Sequence, residues 1–152
     1  MSEEANFSPT SRLKNYLIFL LVLSIIFACI SINKSFLIAP PYAVTAYLVI
    51  FQGDTPNARI KNILSTYLLV IASSYLIHVL LGDTVPAMVF NLVLISAFIT
   101  FTDFTHPPAI ALTVFSYLTH DQLAFMEASL LALTVIVTSS LIINRIQGKW
   151  GG

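Results

Sequence analysis

The sequence predicts an all-α polytopic membrane protein with four long transmembrane helices and two short helices that each open on a proline pair. Composition is the first reason. Of 152 residues, 57% are hydrophobic and only 9% charged, with a mean hydropathy of +0.89. A soluble domain carries about 25% charged residues, because its surface must hold water. The second reason is where the charges fall. Glu3, Glu4, Arg12 and Lys14 precede the first apolar run; Asp54, Arg59 and Lys61 share one gap; Asp83 lies in another; Asp121 and Glu127 stand near a third; Arg145 and Lys149 close the chain. The third reason is that two apolar segments too short to cross a bilayer both follow a double proline.

Run 16–37 follows Arg12 and Lys14 as in a secretory signal, and Ile26-Phe27-Ala28-Cys29 faintly resembles a lipoprotein cleavage box. Phe27 is too bulky for that box and further spans follow, so the segment is expected to be a retained helix. Runs 62–81, 85–102 and 123–143 are the other three long segments, a crossing taking about 20 helical residues. Between them lie the short pieces 42–51 and 109–118, led by Pro40-Pro41 and Pro107-Pro108. Proline suits the first helical position and forces the residue before it out of helix. Each short piece is therefore expected to start at its second proline and to cover about half the bilayer.

The two short pieces also match each other. Both run from a proline pair through an apolar stretch with a threonine (Thr45, Thr113) to an aspartate (Asp54, Asp121), flanked by long helices. The chain thus reads as a single transmembrane domain over 1–152, built of two copies: about 12–82 and about 85–147. Suppose each short helix with its lead-in completes a crossing. Arg12, Lys14, Arg59, Lys61, Arg145 and Lys149 then fall on the cytoplasmic side, and Lys34, Asp83 and Asp121 outside, as the positive-inside bias requires. Re-entrant short helices would erase that bias. A 3+3 inverted repeat is expected, a plan used by transporters with a midplane site. Tyr16 and Trp150 fit the cytoplasmic interfacial belt.

The stretch Phe101-Thr102-Asp103-Phe104-Thr105-His106-Pro107-Pro108-Ala109 resembles the HPP family of small integral membrane proteins, whose triplet His106, Pro107 and Pro108 match. The resemblance extends to Ala39-Pro40 opening a segment that ends at Phe51, then to Pro56 and Asn62, and covers most of 38–144. Ile63-Leu64-Ser65 stands where the family tends to carry a glycine pair. The resemblance implies a membrane protein of largely uncharacterised function, with some plastid and cyanobacterial members assigned to nitrite transport.

An anion suits the chemistry. A helix N-terminus carries free N–H groups and partial positive charge. Two short helices in an inverted repeat would aim such ends at a common midplane region. The expected donors there are the N–H groups of Tyr42 and Ala43, beyond Pro41, and of Ala109 and Ile110, beyond Pro107 and Pro108. Hydroxyls of Thr45, Thr105 and Thr113 and the His106 ring would join them. Asp103, one turn before His106, is a candidate partner that would make passage pH-dependent. The structural alternative is that the prolines only break helices and His106 caps a carbonyl. His78 is expected to hydrogen-bond between helices, and His120-Asp121 to be interfacial.

The leading function is a channel or secondary transporter for a small inorganic anion, with nitrite implied by the resemblance and nitrate, formate and chloride alternatives. A non-transporting scaffold or assembly subunit is the second class, and a proton or cation pathway on Asp103 the third. A permeation protein predicts a hydrated axis through Thr45, Thr105, His106 and Thr113; a scaffold predicts dry packing there. No nucleophile motif, phosphate loop or dinucleotide fingerprint points to an enzyme. Three scattered histidines with Cys29, the lone cysteine, suggest neither metal nor cofactor. Zero net charge argues against nucleic acid. Helix breaks facing lipid would expose backbone, so a homo-oligomer in the bilayer is expected. The lack of an extended basic transit region suits a prokaryotic inner membrane with both termini cytoplasmic.

Overall fold

The computed structural model describes residues 9–32, 38–119 and 121–146. Within them are six α-helices: α1 (Pro9–Ile32), α2 (Ala39–Phe51), α3 (Ile60–Leu81), α4 (Val85–Phe101), α5 (Pro108–Leu118) and α6 (Gln122–Ile146). A 3₁₀ turn at Pro56–Ala58 joins α2 to α3. Among the described residues there is no β-strand.

Three of the four expected long helices have the length and hydropathy of spans: Pro9–Ile32, Ile60–Leu81 and Gln122–Arg145. The fourth does not. Helix α4 has 17 residues, about 25 Å at 1.5 Å per residue against a hydrocarbon core of about 30 Å. Local chemistry cuts it at both ends. At its start the Thr84 hydroxyl accepts from the Ala87 N–H (3.3 Å), with Pro86 in the first turn. At its end Thr102 turns extended, its hydroxyl donating back to the Phe98 carbonyl (2.6 Å). Helix α1 begins at Pro9, well before residue 16, and carries Arg12 and Lys14 in its first turns; the expected end at 37 lies outside the described residues. Trp150, Lys34, Lys149 and His120 lie outside them too.

The half-helices form as the prolines dictate, with one shift. Helix α5 starts at Pro108, the second proline of its pair, as expected. Helix α2 starts at Ala39, ahead of its pair, so Pro40 and Pro41 sit inside the first turn. The first-turn N–H groups have no intrahelical acceptor, so the missing donors cost nothing there. At about 1.5 Å per residue, 13 and 11 residues give helices of about 20 and 16 Å.

Packing follows the 3–4 spacing of buried positions. Val22, Ile26 and Ile30 of α1, Ile63, Tyr67 and Val70 of α3, and Phe125, Ala128, Ala132 and Ile136 of α6 meet around the short helices. Small residues at 128, 129 and 132 let the backbone of α6 come close enough for the Tyr42 hydroxyl to donate to the Ser129 carbonyl (2.9 Å). Helix α1 packs on α2 and α6, α4 on α3 and α5, α2 on α5 and α6, and α3 on α5 and α6. The outside is apolar: Leu17, Leu21, Leu80, Val93 and Phe101 are exposed, Phe101 at 84%. A water-facing surface would not carry so continuous an apolar coat.

Candidate functional site

The two helix breaks meet at a buried polar cluster. His106, the residue before the α5 proline pair, is fully buried. Its Nδ1 lies 2.7 Å from the Asn57 carbonyl and its Nε2 3.0 Å from the Thr45 hydroxyl on α2. That hydroxyl is 2.5 Å from the Tyr67 hydroxyl of α3, and both lie within reach of the Pro41 carbonyl, at 2.9 and 3.0 Å. The Tyr67 ring meets His106 edge-on, 5.0 Å between centroids, and Tyr42 lies 4.9 Å from Tyr67 on its other side.

The hydrogens can be placed by elimination. A backbone carbonyl only accepts, so Nδ1 of His106 carries a hydrogen and donates to Asn57. In the neutral ring Nε2 is then an acceptor, filled by the Thr45 hydroxyl, while Tyr67 donates to Thr45 or to Pro41. A proton on Nε2 reverses the first of these: the ring donates to Thr45, and Thr45 turns to the Pro41 carbonyl it already faces. One geometry therefore accepts both charge states of the ring by rotating a hydroxyl.

The loop under this cluster is fixed by residues that carried the sequence resemblance. Pro56 opens the 3₁₀ turn, and the Asn62 side-chain amide donates to its carbonyl (2.8 Å). That bond folds the α2–α3 connection back so that the Asn57 carbonyl faces His106. On the α4–α5 side, Phe104 stacks on Phe98 (5.6 Å, 7°) and lies under the Lys61 ammonium (5.0 Å). Ile63, where the family tends to carry glycine, is fully buried in the core.

The other expected site residues fall into three groups. Thr45 and His106 come together, with Pro41 contributing its carbonyl. Thr113 is buried but returns its hydroxyl to the Ala109 carbonyl of its own helix (3.0 Å). Thr105 is half-buried and Asp103 is exposed. Asp103 is not the partner of His106, since both ring nitrogens are engaged elsewhere. The expected backbone donors of α5 are also engaged: the Ala109 N–H bonds the His106 carbonyl (3.1 Å) and the Ile110 N–H the Pro107 carbonyl (3.0 Å). With prolines at 107 and 108, the start of α5 offers a dipole rather than a ring of free N–H groups. Tyr42 and Ala43 flank the break on α2, Tyr42 fully buried.

Sequence reasoning missed Tyr67 and Asn57. Tyr67 had a signal: a phenol amid apolar helix must find a partner when buried. Asn57 had none, because its backbone carbonyl makes the contact.

A second buried polar layer lies two turns along α3. Ser74 accepts from the Asn91 amide (3.0 Å) and from the Ser116 hydroxyl of α5 (2.9 Å). His78 donates from Nδ1 to the Ser74 carbonyl (2.6 Å) within α3 and stacks on Tyr117 of α5, 4.1 Å between centroids, with Nε2 3.6 Å from Asp83. Its link to another helix is thus a ring contact rather than the expected hydrogen bond. Asp121 caps α6, accepting from the Ala124 N–H (3.0 Å). Among the described residues no group of His, Cys, Asp and Glu is placed to hold a metal ion.

An apolar exterior around an interior of hydrogen-bonded hydroxyls, amides and imidazoles, with two helices broken at proline pairs, defines a polytopic helical membrane protein. Residues 7–150 match the family described as HPP, transmembrane region, and the chain belongs to that family. No curated protein and no solved structure matches it.

Proposed function

We propose that this protein is a channel or secondary transporter for a small inorganic anion, nitrite foremost, with the His106–Thr45–Tyr67 cluster as its internal gate. The observation that carries this reading is the meeting of both helix breaks at one buried polar network inside a lipid-facing bundle. Ionisable and polar groups are costly inside a membrane and are retained chiefly for function. The second layer at Ser74, Ser116 and Asn91 extends the polar interior toward the Asp83 end. Passage needs the cluster to part, and the His106–Thr45 bond is the contact that joins the α5 lead-in to α2.

The helix adjacencies support an inverted repeat. Under exchange of α1, α2 and α3 with α4, α5 and α6, the α1–α2 contact maps onto α4–α5, α1–α6 onto α4–α3, and α3–α5 onto α6–α2, while α2–α5 and α3–α6 map onto themselves. The same scheme sets both termini on the cytoplasmic side of a plasma membrane, and a homo-oligomer buries the exposed flanks of the breaks.

A packing role without transport has one observation in its favour. Thr45, His106 and Thr113 are fully buried and hydrogen-bonded within the protein, which is the dry arrangement a scaffold needs. Flux separates the two. Proteoliposomes carrying wild type, His106→Ala and the near-isosteric Thr45→Val are loaded with nitrite, nitrate, chloride or formate at two pH values. Selective anion flux in wild type that both substitutions abolish supports the gate. Correctly assembled wild type that passes no ion faster than empty liposomes leaves the scaffold.

A further inference from the structure

On the Asp83 side, the polar layer around Ser74 ends in buried polar atoms that have no hydrogen-bond partner among the described residues. His78 is the clearest case. Its Nδ1 lies 2.6 Å from the Ser74 carbonyl, which can only accept, so that nitrogen carries the hydrogen. In the neutral ring Nε2 is then a bare acceptor. It is buried, has no donor, and lies 3.6 Å from Oδ1 of Asp83, another acceptor. A buried acceptor without a donor is costly, and one turned toward a carboxylate more so. Beside it, Asn91 Oδ1 and the Tyr117 hydroxyl are also buried without a partner.

Three surroundings of the ring favour a positive charge on it. The Asp83 carboxylate is within ion-pair distance, though too far for a hydrogen bond. Tyr117 stacks on the ring at 4.1 Å between centroids and 27°, offering its π face to an imidazolium. His78 also stands in the last turn of α3, where free carbonyls leave partial negative charge. The elements packed on α3 bring no competing cation among the described residues. Helix α4 has no ionisable residue and α5 has only Tyr117. Tyr75 of α3 and Asp121 and Glu127 of α6 are exposed. Arg59, Lys61 and Arg145 stand at the opposite end of α3, where the last turns of α6 meet its start. Lys61 is about 25 Å from His78 along the helix at 1.5 Å per residue. Protons have a way in: the Asp83 side chain is 41% exposed and that of His78 only 7%.

We infer that His78, with Asp83, is the binding site for a coupling proton taken from the water on the Asp83 side of the membrane. The proton leaves a hydronium ion there and forms the Nε2–H bond, a net gain of one positive charge. The orphaned acceptor becomes a donor aimed at the carboxylate, and Nδ1 keeps its bond to Ser74 in both states. The Ser74 hydroxyl gathers Asn91 of α4 and Ser116 of α5. The charge therefore rests against α5, the helix whose lead-in bears His106. The coupling role rests on the proposed anion transport; the binding of the proton does not.

The test is nitrogen magnetic resonance of the full chain, isotope-labelled at histidine, in a non-ionic detergent. It is titrated over roughly pH 5 to 8, the range in which imidazole ordinarily changes charge. The His78 signals are those absent from His78→Gln. As the pH falls, Nε2 should pass from a bare to a hydrogen-bearing nitrogen while Nδ1 keeps its hydrogen throughout. Asp83→Asn removes a charge from an exposed position, so the fold is kept and the midpoint should drop by about one pH unit, a tenfold loss of proton affinity. An Nε2 that stays bare over the whole range, as a buried water donating to it would keep it, overturns the proton site. So does an unchanged midpoint in Asp83→Asn. In proteoliposomes, acid on the Asp83 side should speed nitrite flux toward the other side several-fold in wild type and not in His78→Gln. Acceleration that survives in His78→Gln overturns the coupling and leaves anion transport. Titration of His78 in a protein that passes no anion sinks the transport proposal and leaves the proton site.

Discussion

Residue by residue, the interior is held by polar atoms with few spare partners. Tyr67 shows this most directly. Its hydroxyl is fully buried and lies between Pro41 and Thr45, so Tyr67→Phe removes the one hydrogen that it donates to either of them. That substitution should cost about 1–3 kcal/mol, read as a lower thermal midpoint in detergent. An unchanged midpoint would mean the cluster contributes nothing to stability. Gly82 tests backbone rather than contacts. It ends α3 at φ 75°, its N–H bonding the His78 carbonyl (2.9 Å), and a Cβ there would meet open space. Gly82→Ala should still destabilise by about 1 kcal/mol, purely because an L-residue resists that φ. A neutral result would show that the α3–α4 turn relaxes freely.

Among the elements, the short connections decide more than the helices do. The 3₁₀ turn is tied by one side chain, Asn62 to the Pro56 carbonyl, and the turn in turn presents Asn57 to His106. Asn62→Leu should therefore act at a distance. It should lower stability by about 1–3 kcal/mol and, in the flux assay, reproduce part of the His106→Ala defect. Loss of stability with wild-type flux would separate the turn from the gate. The proline pairs were legible in the sequence because proline acts locally, through φ and a missing N–H. Their consequence at α5 was not legible. The Ala109 and Ile110 N–H groups turn to the carbonyls of His106 and Pro107, a choice set by how tightly the chain turns before the helix. The shortfall of α4 was largely legible, since run 85–102 is itself shorter than the roughly 20 residues of a crossing; only the loss of Thr102, whose hydroxyl folds back on Phe98, was hidden.

For the whole molecule, the proposed inverted arrangement makes a topological prediction. In a Cys29→Ser background, single cysteines at Asp54 and Asp83 should react with a membrane-impermeant maleimide from opposite sides. Residue 54 should label from the cytoplasmic face and 83 from the other. Labelling of both from one side would refute the crossing pattern and with it the repeat. The paired adjacencies of the six helices motivate that test.

Composition and chemistry between near neighbours were enough to read the apolar solvent, the six apolar segments, the family and the start of α5 at Pro108, and they missed the start of α2 by two residues. His106, Pro107, Pro108, Pro56 and Asn62 could all be singled out in this way. Only the tertiary structure decided what those residues touch: that His106 meets Thr45, from 61 positions earlier, and a backbone oxygen at Asn57; and that Asp103 faces outward. The reason is physical. Hydrophobicity and dihedral preference are properties of short segments and survive in any packing. A hydrogen bond between distant helices depends on their rotation and depth, which the close packing of Tyr42, Tyr67 and the small residues of α6 sets only once all six helices are in place.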